Sequence, residues 1–148
     1  MTENDIQIFL NGAMNYFRGV SQTEAHLDTP YLRTTEDVLL DYTGAITISG
    51  QERGCVMFTA GRAMLQDLIQ GLGDGDVSHD SCRDMVGEVA NTISGNARRE
   101  FGSDFFISVP LIFDATSNGG QFAEGSRTFV IPIHWNQHKS HLLVSLDS

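Results

Sequence analysis

Between Ser78 and Gly102 runs a helical pattern so long and so one-sided that the rest of the chain must supply a layer for it to lie on. Counting about 100° per residue from Cys82, the apolar Met85, Val86, Val89, Ile93 and Ala97 fall within one arc. Ser78 or Asp80 can serve as its N-cap, and the pattern persists to about Phe101-Gly102. The opposite arc holds Asp84, Glu88, Asn91, Gly95 and Arg98, a stripe several turns long that the same wheel turns toward solvent.

The candidates for that layer are strands. Val38 to Ser49 (VLLDYTGAITIS) is rich in β-branched residues, and Gly50 to Gly54 reads as a turn before a second run, Cys55 to Phe58, so a hairpin is expected. Three further strands are expected after the long helix: Phe105 to Phe113, Phe122 or Thr128 to His134, and Ser140 to Leu146. Two more helices precede it. One begins at Thr2, with Thr2 and Asp5 placed as a capping pair and Ile6, Phe9, Leu10, Ala13, Phe17 and Val20 at helical spacing. The other carries Ala63, Met64, Leu65, Leu68 and Ile69 and ends in the glycine-rich turn Gly71 to Asp76. The stretch through Thr29-Pro30-Tyr31 reads as an irregular crossing segment or a short strand. This order predicts an α+β fold, a largely antiparallel sheet packed against long helices on one face, with residues 1–148 as a single domain.

Charge narrows the functions such a fold can serve. With 9 basic against 19 acidic side chains the formal net charge is -10, so the chain lacks the positive surface that nucleic acid or an anionic membrane requires. Cys55 and Cys82 are too few for a disulfide framework or a cysteine-rich zinc site. The start Met1 to Asp5 is acidic where a signal peptide is basic and then apolar, and no apolar run reaches membrane-spanning length, so a cytoplasmic protein is expected.

The stripe itself departs from what helix stability favours. Asn91 competes for backbone hydrogen bonds in a helix interior, and Gly87 and Gly95 each cost about 1 kcal/mol relative to Ala. Small residues beside a carboxylate and an amide one turn apart suggest room made for a partner's backbone. Alone, a Glu-x-x-Asn pair is an ordinary chance spacing on a solvated face, and its meaning depends on its surroundings.

Those surroundings resemble a known family. Asp84-Met-Val-Gly-Glu88-Val-Ala-Asn91 matches the pattern of the CheC, CheX and FliY chemotaxis phosphatases: Asp or Ser, three residues, Glu, two residues, Asn. The run ITISGQERGCVMFTAGRAMLQDLIQGLGDGD is similar to the family's hairpin, turn and short helix, and SVPLIFD with FVIPIHW to its later strands, so the likeness covers about Val38 to the end. One motif is present and no second Glu-x-x-Asn follows it, which makes CheX the closer match. The resemblance implies a phosphatase for the aspartyl phosphate of a CheY-like response regulator, with Asn91 positioning the attacking water and Glu88 docking the partner's lysine. On the same stripe Asp84, Gly87, Gly95 and Arg98 are expected to border the partner contact, and the resemblance implies a homodimer formed through a sheet edge. It implies no cofactor of the chain's own, with Mg2+ in the response regulator's acidic pocket. The alternative of another class is a non-catalytic module that binds a response regulator, as the related middle domain of flagellar switch proteins uses this fold for interaction.

Other constellations carry less. His134, His138 and His141 cross a strand, a turn and a strand, so they are expected to be surface hairpin histidines rather than metal ligands. His79, Asp80 and Ser81 name triad residue types, but adjacent positions at a helix start suit capping. Arg98 and Arg99 with Glu100 are expected to form a solvated helix end, Arg98 lying near the stripe.

Overall fold

The computed structural model describes residues 1–34, 37–114 and 127–147. Its elements in chain order are α1 (Glu3–Val20), β1 (His26–Leu27), β2 (Tyr31–Leu32), β3 (Tyr42–Gly50), β4 (Arg53–Ala60), α2 (Arg62–Gly71), α3 (His79–Phe101), β5 (Phe105–Ile107), β6 (Leu111–Asp114), β7 (Phe129–Trp135) and β8 (His138–Asp147). The strands form one sheet in the order β1-β7-β8-β4-β3-β5, with β2 also on β7 and β6 also on β3. Its pairings are antiparallel. The expected α+β class is what folds.

Strand period sorts the core into two. Ala45, Met57, Leu143 and Val130 form one row across β3, β4, β8 and β7 and share a small cluster with Val38 and Cys55. The next row, Ile46, Val56 and Val144, belongs to the main core with the buried faces of α1, α2 and α3. Residues two apart on a strand share a face, so β3, β4 and β8 are buried on both sides rather than alternating with solvent. No helix among the described residues is long and apolar enough to cross a membrane.

Several boundaries move from their expected places. β3 starts at Tyr42, four residues after Val38. Val38 instead packs on the far cluster, its carbonyl accepts from His141 Nδ1 at 2.7 Å, and Leu40 N donates to Thr59 Oγ1 at 2.7 Å. The hairpin turn shrinks to Gln51-Glu52, because Gly50 and Arg53 already belong to the strands. Gly50 sits at φ +97°, which a glycine adopts at low cost.

The single strand expected over Phe105 to Phe113 is two. Ile107 pairs with Ile48 and Leu111 with Ala45, so three steps along β3 are matched by four along the edge. The extra residue makes a bulge around Pro110, which has no N–H to give a ladder, while Ser108 Oγ accepts from Thr47 N at 2.9 Å. The last-but-one strand begins at Phe129; the alternative start at Phe122 lies outside the described residues.

Candidate functional site

α3 starts at Ser78, whose hydroxyl accepts from Ser81 N at 3.3 Å, which settles the choice between Ser78 and Asp80. Asp80 in its first turn and Arg98 and Arg99 in its last complement the helix dipole, and Gly102 at φ +106° ends it. His79 is not a capping residue. Its Nδ1 lies 2.8 Å from the Tyr42 hydroxyl on β3, and its Nε2 lies 3.8 Å from Asp114.

Both flanks of the helix are clamped. On the sheet side Arg83 donates through Nη1 to Asp114 at 3.1 Å and through Nη2 to the Ile112 carbonyl at 3.4 Å. Toward α1, Asn96 Nδ2 donates to the Gly12 carbonyl at 3.1 Å, and the Phe9 and Phe101 rings lie 5.7 Å apart. Beneath, β3 approaches closely at Gly44, where a Cβ would lie 2.7 Å from the Val86 carbonyl oxygen. A helix held on three sides presents its fourth side in one orientation.

That fourth side carries Asp84, Glu88 and Asn91, all exposed. Among the described residues their side chains make no hydrogen bond or ion pair. The Asn91 amide is therefore unengaged, one turn beyond an unengaged carboxylate. Past Asn91 an open groove of about 560 Å³ is lined by Gly95, Asn96, Arg98, Arg99 and Ser103 among others, and places two guanidinium groups beside the stripe in an otherwise acidic chain.

The two glycines separate here. Gly95 faces open space, since a Cβ built on it meets nothing within 4 Å. Gly87, expected to make room for a partner, is buried: a Cβ there would lie 2.6 Å from Ile112 Cδ1 and 3.4 Å from Pro110 Cγ. Its missing side chain admits the chain's own edge strand, so Gly87 leaves the partner-contact set. Arg98 is exposed, yet its Nε donates to the Phe105 carbonyl at 2.9 Å and ties the helix end to β5.

The histidines are engaged separately. His134 Nε2 lies 2.7 Å from Asp28 and His138 Nε2 2.6 Å from Asp67, whereas His141, expected at the surface, is buried and turned to the Val38 carbonyl. Among the described residues no three His, Cys, Asp or Glu side chains gather as metal ligands would. Tyr42, Arg83, Asp114 and Tyr16 escaped the sequence reading. Tyr42 and Asp114 meet α3 only through the fold, and nothing in their local spacing announces it.

A family model described as "Chemotaxis phosphatase CheX" matches residues 42–134. No curated protein matches the chain. Among solved structures, a CheC-like superfamily protein from Shewanella sp. PV-4 superposes with a TM-score of 0.85 at 17% identity over 100% of both chains. The chemotaxis protein CheX from Vibrio vulnificus does so at 0.83 and 21% identity, over 97% of this chain and 99% of that one. The CheX chain of a CheX–CheY–BeF3–Mg2+ complex from Borrelia burgdorferi does so at 0.76 and 16% identity, over 97% of each chain. At these identities the structural likeness establishes the fold.

Proposed function

The chain belongs to the CheX family of chemotaxis phosphatases, and from that membership and the exposed stripe of α3 we propose that it accelerates hydrolysis of the aspartyl phosphate of a CheY-like response regulator. An aspartyl phosphate is an activated acyl phosphate. Its hydrolysis needs no covalent help from a second protein and mainly wants a water held in line with the leaving carboxylate.

Asn91 suits that task because its amide is neutral and unengaged. It orients a water by hydrogen bonds without setting another negative charge beside an anionic phosphoryl group. Glu88, one turn earlier, pairs with the partner's lysine and holds the stripe over the phosphoryl site. Asp84, Gly95 and Arg98 border the contact, with the groove past Asn91 receiving the rim of the partner. A divalent ion, Mg2+, sits in the response regulator's acidic pocket and screens the phosphoryl charge, so two proteins complete one active site. The Borrelia complex, which unites CheX with CheY, BeF3 and Mg2+ on this same fold, supports the pairing. A homodimer formed through a sheet edge and a cytoplasmic setting belong to the same proposal, the dimer to be read from sedimentation at rising concentration.

The observation that carries the reading is the pair Glu88 and Asn91, exposed and, among the described residues, without a hydrogen-bond or ion-pair partner on a helix clamped along its other sides. Its test is phosphate release from a phosphorylated CheY-like regulator with and without the protein. Asn91→Ala should lower the accelerated rate by about 100-fold or more, the scale of losing one positioning group. Melting should stay within about 0.5 kcal/mol, since the amide is exposed and makes no hydrogen bond among the described residues. Asn91→Asp should fail too, because it keeps the size and adds charge. Activity retained in Asn91→Ala would remove this residue from the mechanism.

A further inference from the structure

Tyr16 is one of five buried residues on α1, and its hydroxyl is buried without a hydrogen-bond partner among the described residues. A phenol donor taken out of water and left unpaired costs its full desolvation, so a molecule that keeps one has a use or a missing partner for it.

The register of α1 against α3 shows which turn of α3 lies level with Tyr16. Gly12 meets Ile93 and Asn96, while Phe9 meets Phe101, so the two helices run antiparallel. One turn further along α1 is Tyr16, and one turn back along α3 from Ile93 is the turn that carries Glu88. Burial holds the Tyr16 phenol well above its usual range, and after burial it is the Glu88 carboxylate that opposes its ionisation, so the two groups lie within electrostatic reach. Glu88, for its part, is a carboxylate with no donor among the described residues. Among the described residues a donor without an acceptor and an acceptor without a donor thus belong to neighbouring turns of the two packed helices.

We propose that Tyr16 is a positioning residue for Glu88, its hydroxyl donating to one carboxylate oxygen and leaving the other turned outward for the partner's cation. A charge-assisted bond of this kind orders the side chain before docking rather than during it, which strengthens docking without touching the hydrolytic step. The inference rests on the docking role proposed for Glu88.

The experiment measures phosphate release against the concentration of a phosphorylated CheY-like regulator for the unaltered protein, Tyr16→Phe, Glu88→Ala and the double variant. Tyr16→Phe should raise the half-saturating concentration about three- to tenfold, the loss expected when one side chain must be ordered on binding. The saturated rate should not fall, because the bond orders Glu88 for docking and takes no part in the hydrolytic step. In the Glu88→Ala background the same change should add nothing. A Tyr16→Phe curve that overlays the unaltered one, or an equal shift in both backgrounds, overturns the positioning role; the second outcome marks Tyr16 as helix packing. If Glu88→Ala itself leaves the half-saturating concentration unchanged, the docking role fails and takes this inference with it.

Discussion

Gly87 and Gly95 lie two turns apart on α3, and replacing each with Ala should move stability in opposite directions. At both positions Ala gains about 1 kcal/mol of helix propensity over Gly. At Gly95 nothing opposes that gain, because the added methyl meets no atom within 4 Å. At Gly87 the methyl would lie 2.6 Å from Ile112 Cδ1, about 1 Å inside the optimal carbon–carbon separation, and 3.4 Å from Pro110 Cγ. Overpacking of this kind costs about 1–3 kcal/mol. Ile112 is half-buried and its Cδ1 ends a flexible side chain, so a value near the middle, about 2 kcal/mol, is appropriate. The net expectations are about +1 kcal/mol for Gly95→Ala and about -1 kcal/mol for Gly87→Ala.

For a chain of 148 residues the unfolding entropy is about 0.3 kcal/mol/K, so the variants should melt about 3 °C above and about 3 °C below the unaltered protein. Thermal unfolding followed by circular dichroism reads both. Activity separates them further: Gly95→Ala adds a methyl to the groove past Asn91, so the more stable variant should require more regulator for half-maximal rate. Equal melting temperatures for the two variants would refute the packing of the edge strand against Gly87 and return that glycine to the contact surface.

Three further outcomes follow from the same structure. Glu88→Lys should raise the half-saturating regulator concentration at least about tenfold, more at low salt, with unchanged melting because the side chain is exposed; a salt-independent response would exclude a charge pair. Burial holds His141 below the usual imidazole range, so it stays neutral in the fold while the unfolded chain takes up a proton. Stability should therefore fall as pH drops through about 6.5, and less steeply in His141→Asn, which retains an N–H for the Val38 carbonyl; parallel pH profiles of melting temperature would sink this assignment. Asn136 and Gln137 turn the β7–β8 hairpin at φ 49° and 66°, a conformation that suits glycine. Gln137→Gly should stabilise by about 0.5–1 kcal/mol in denaturant titration, and a loss would mean that the Gln137 side chain holds the turn.

What local spacing encodes was legible in the chain. The arc Met85, Val86, Val89, Ile93 and Ala97 is buried as its period required, and the stripe Asp84, Glu88 and Asn91 is exposed. The Thr2–Asp5 capping pair forms both of its hydrogen bonds, at 2.9 and 3.1 Å. These are properties of residues three or four apart, and one helix turn brings such residues together whatever the rest of the chain does.

Contacts between elements distant in sequence depended on the tertiary structure. The break of one expected strand into β5 and β6 comes from register against β3, and the burial of Gly87 comes from that broken strand lying alongside α3. Likewise His79 bonds to Tyr42, Arg83 to Asp114, and Tyr16 is brought to the turn of Glu88, across separations of 31 to 72 residues for which no periodicity exists. A pattern in sequence tells which face of an element avoids water; which neighbour covers that face is decided only when the sheet and helices close on one another.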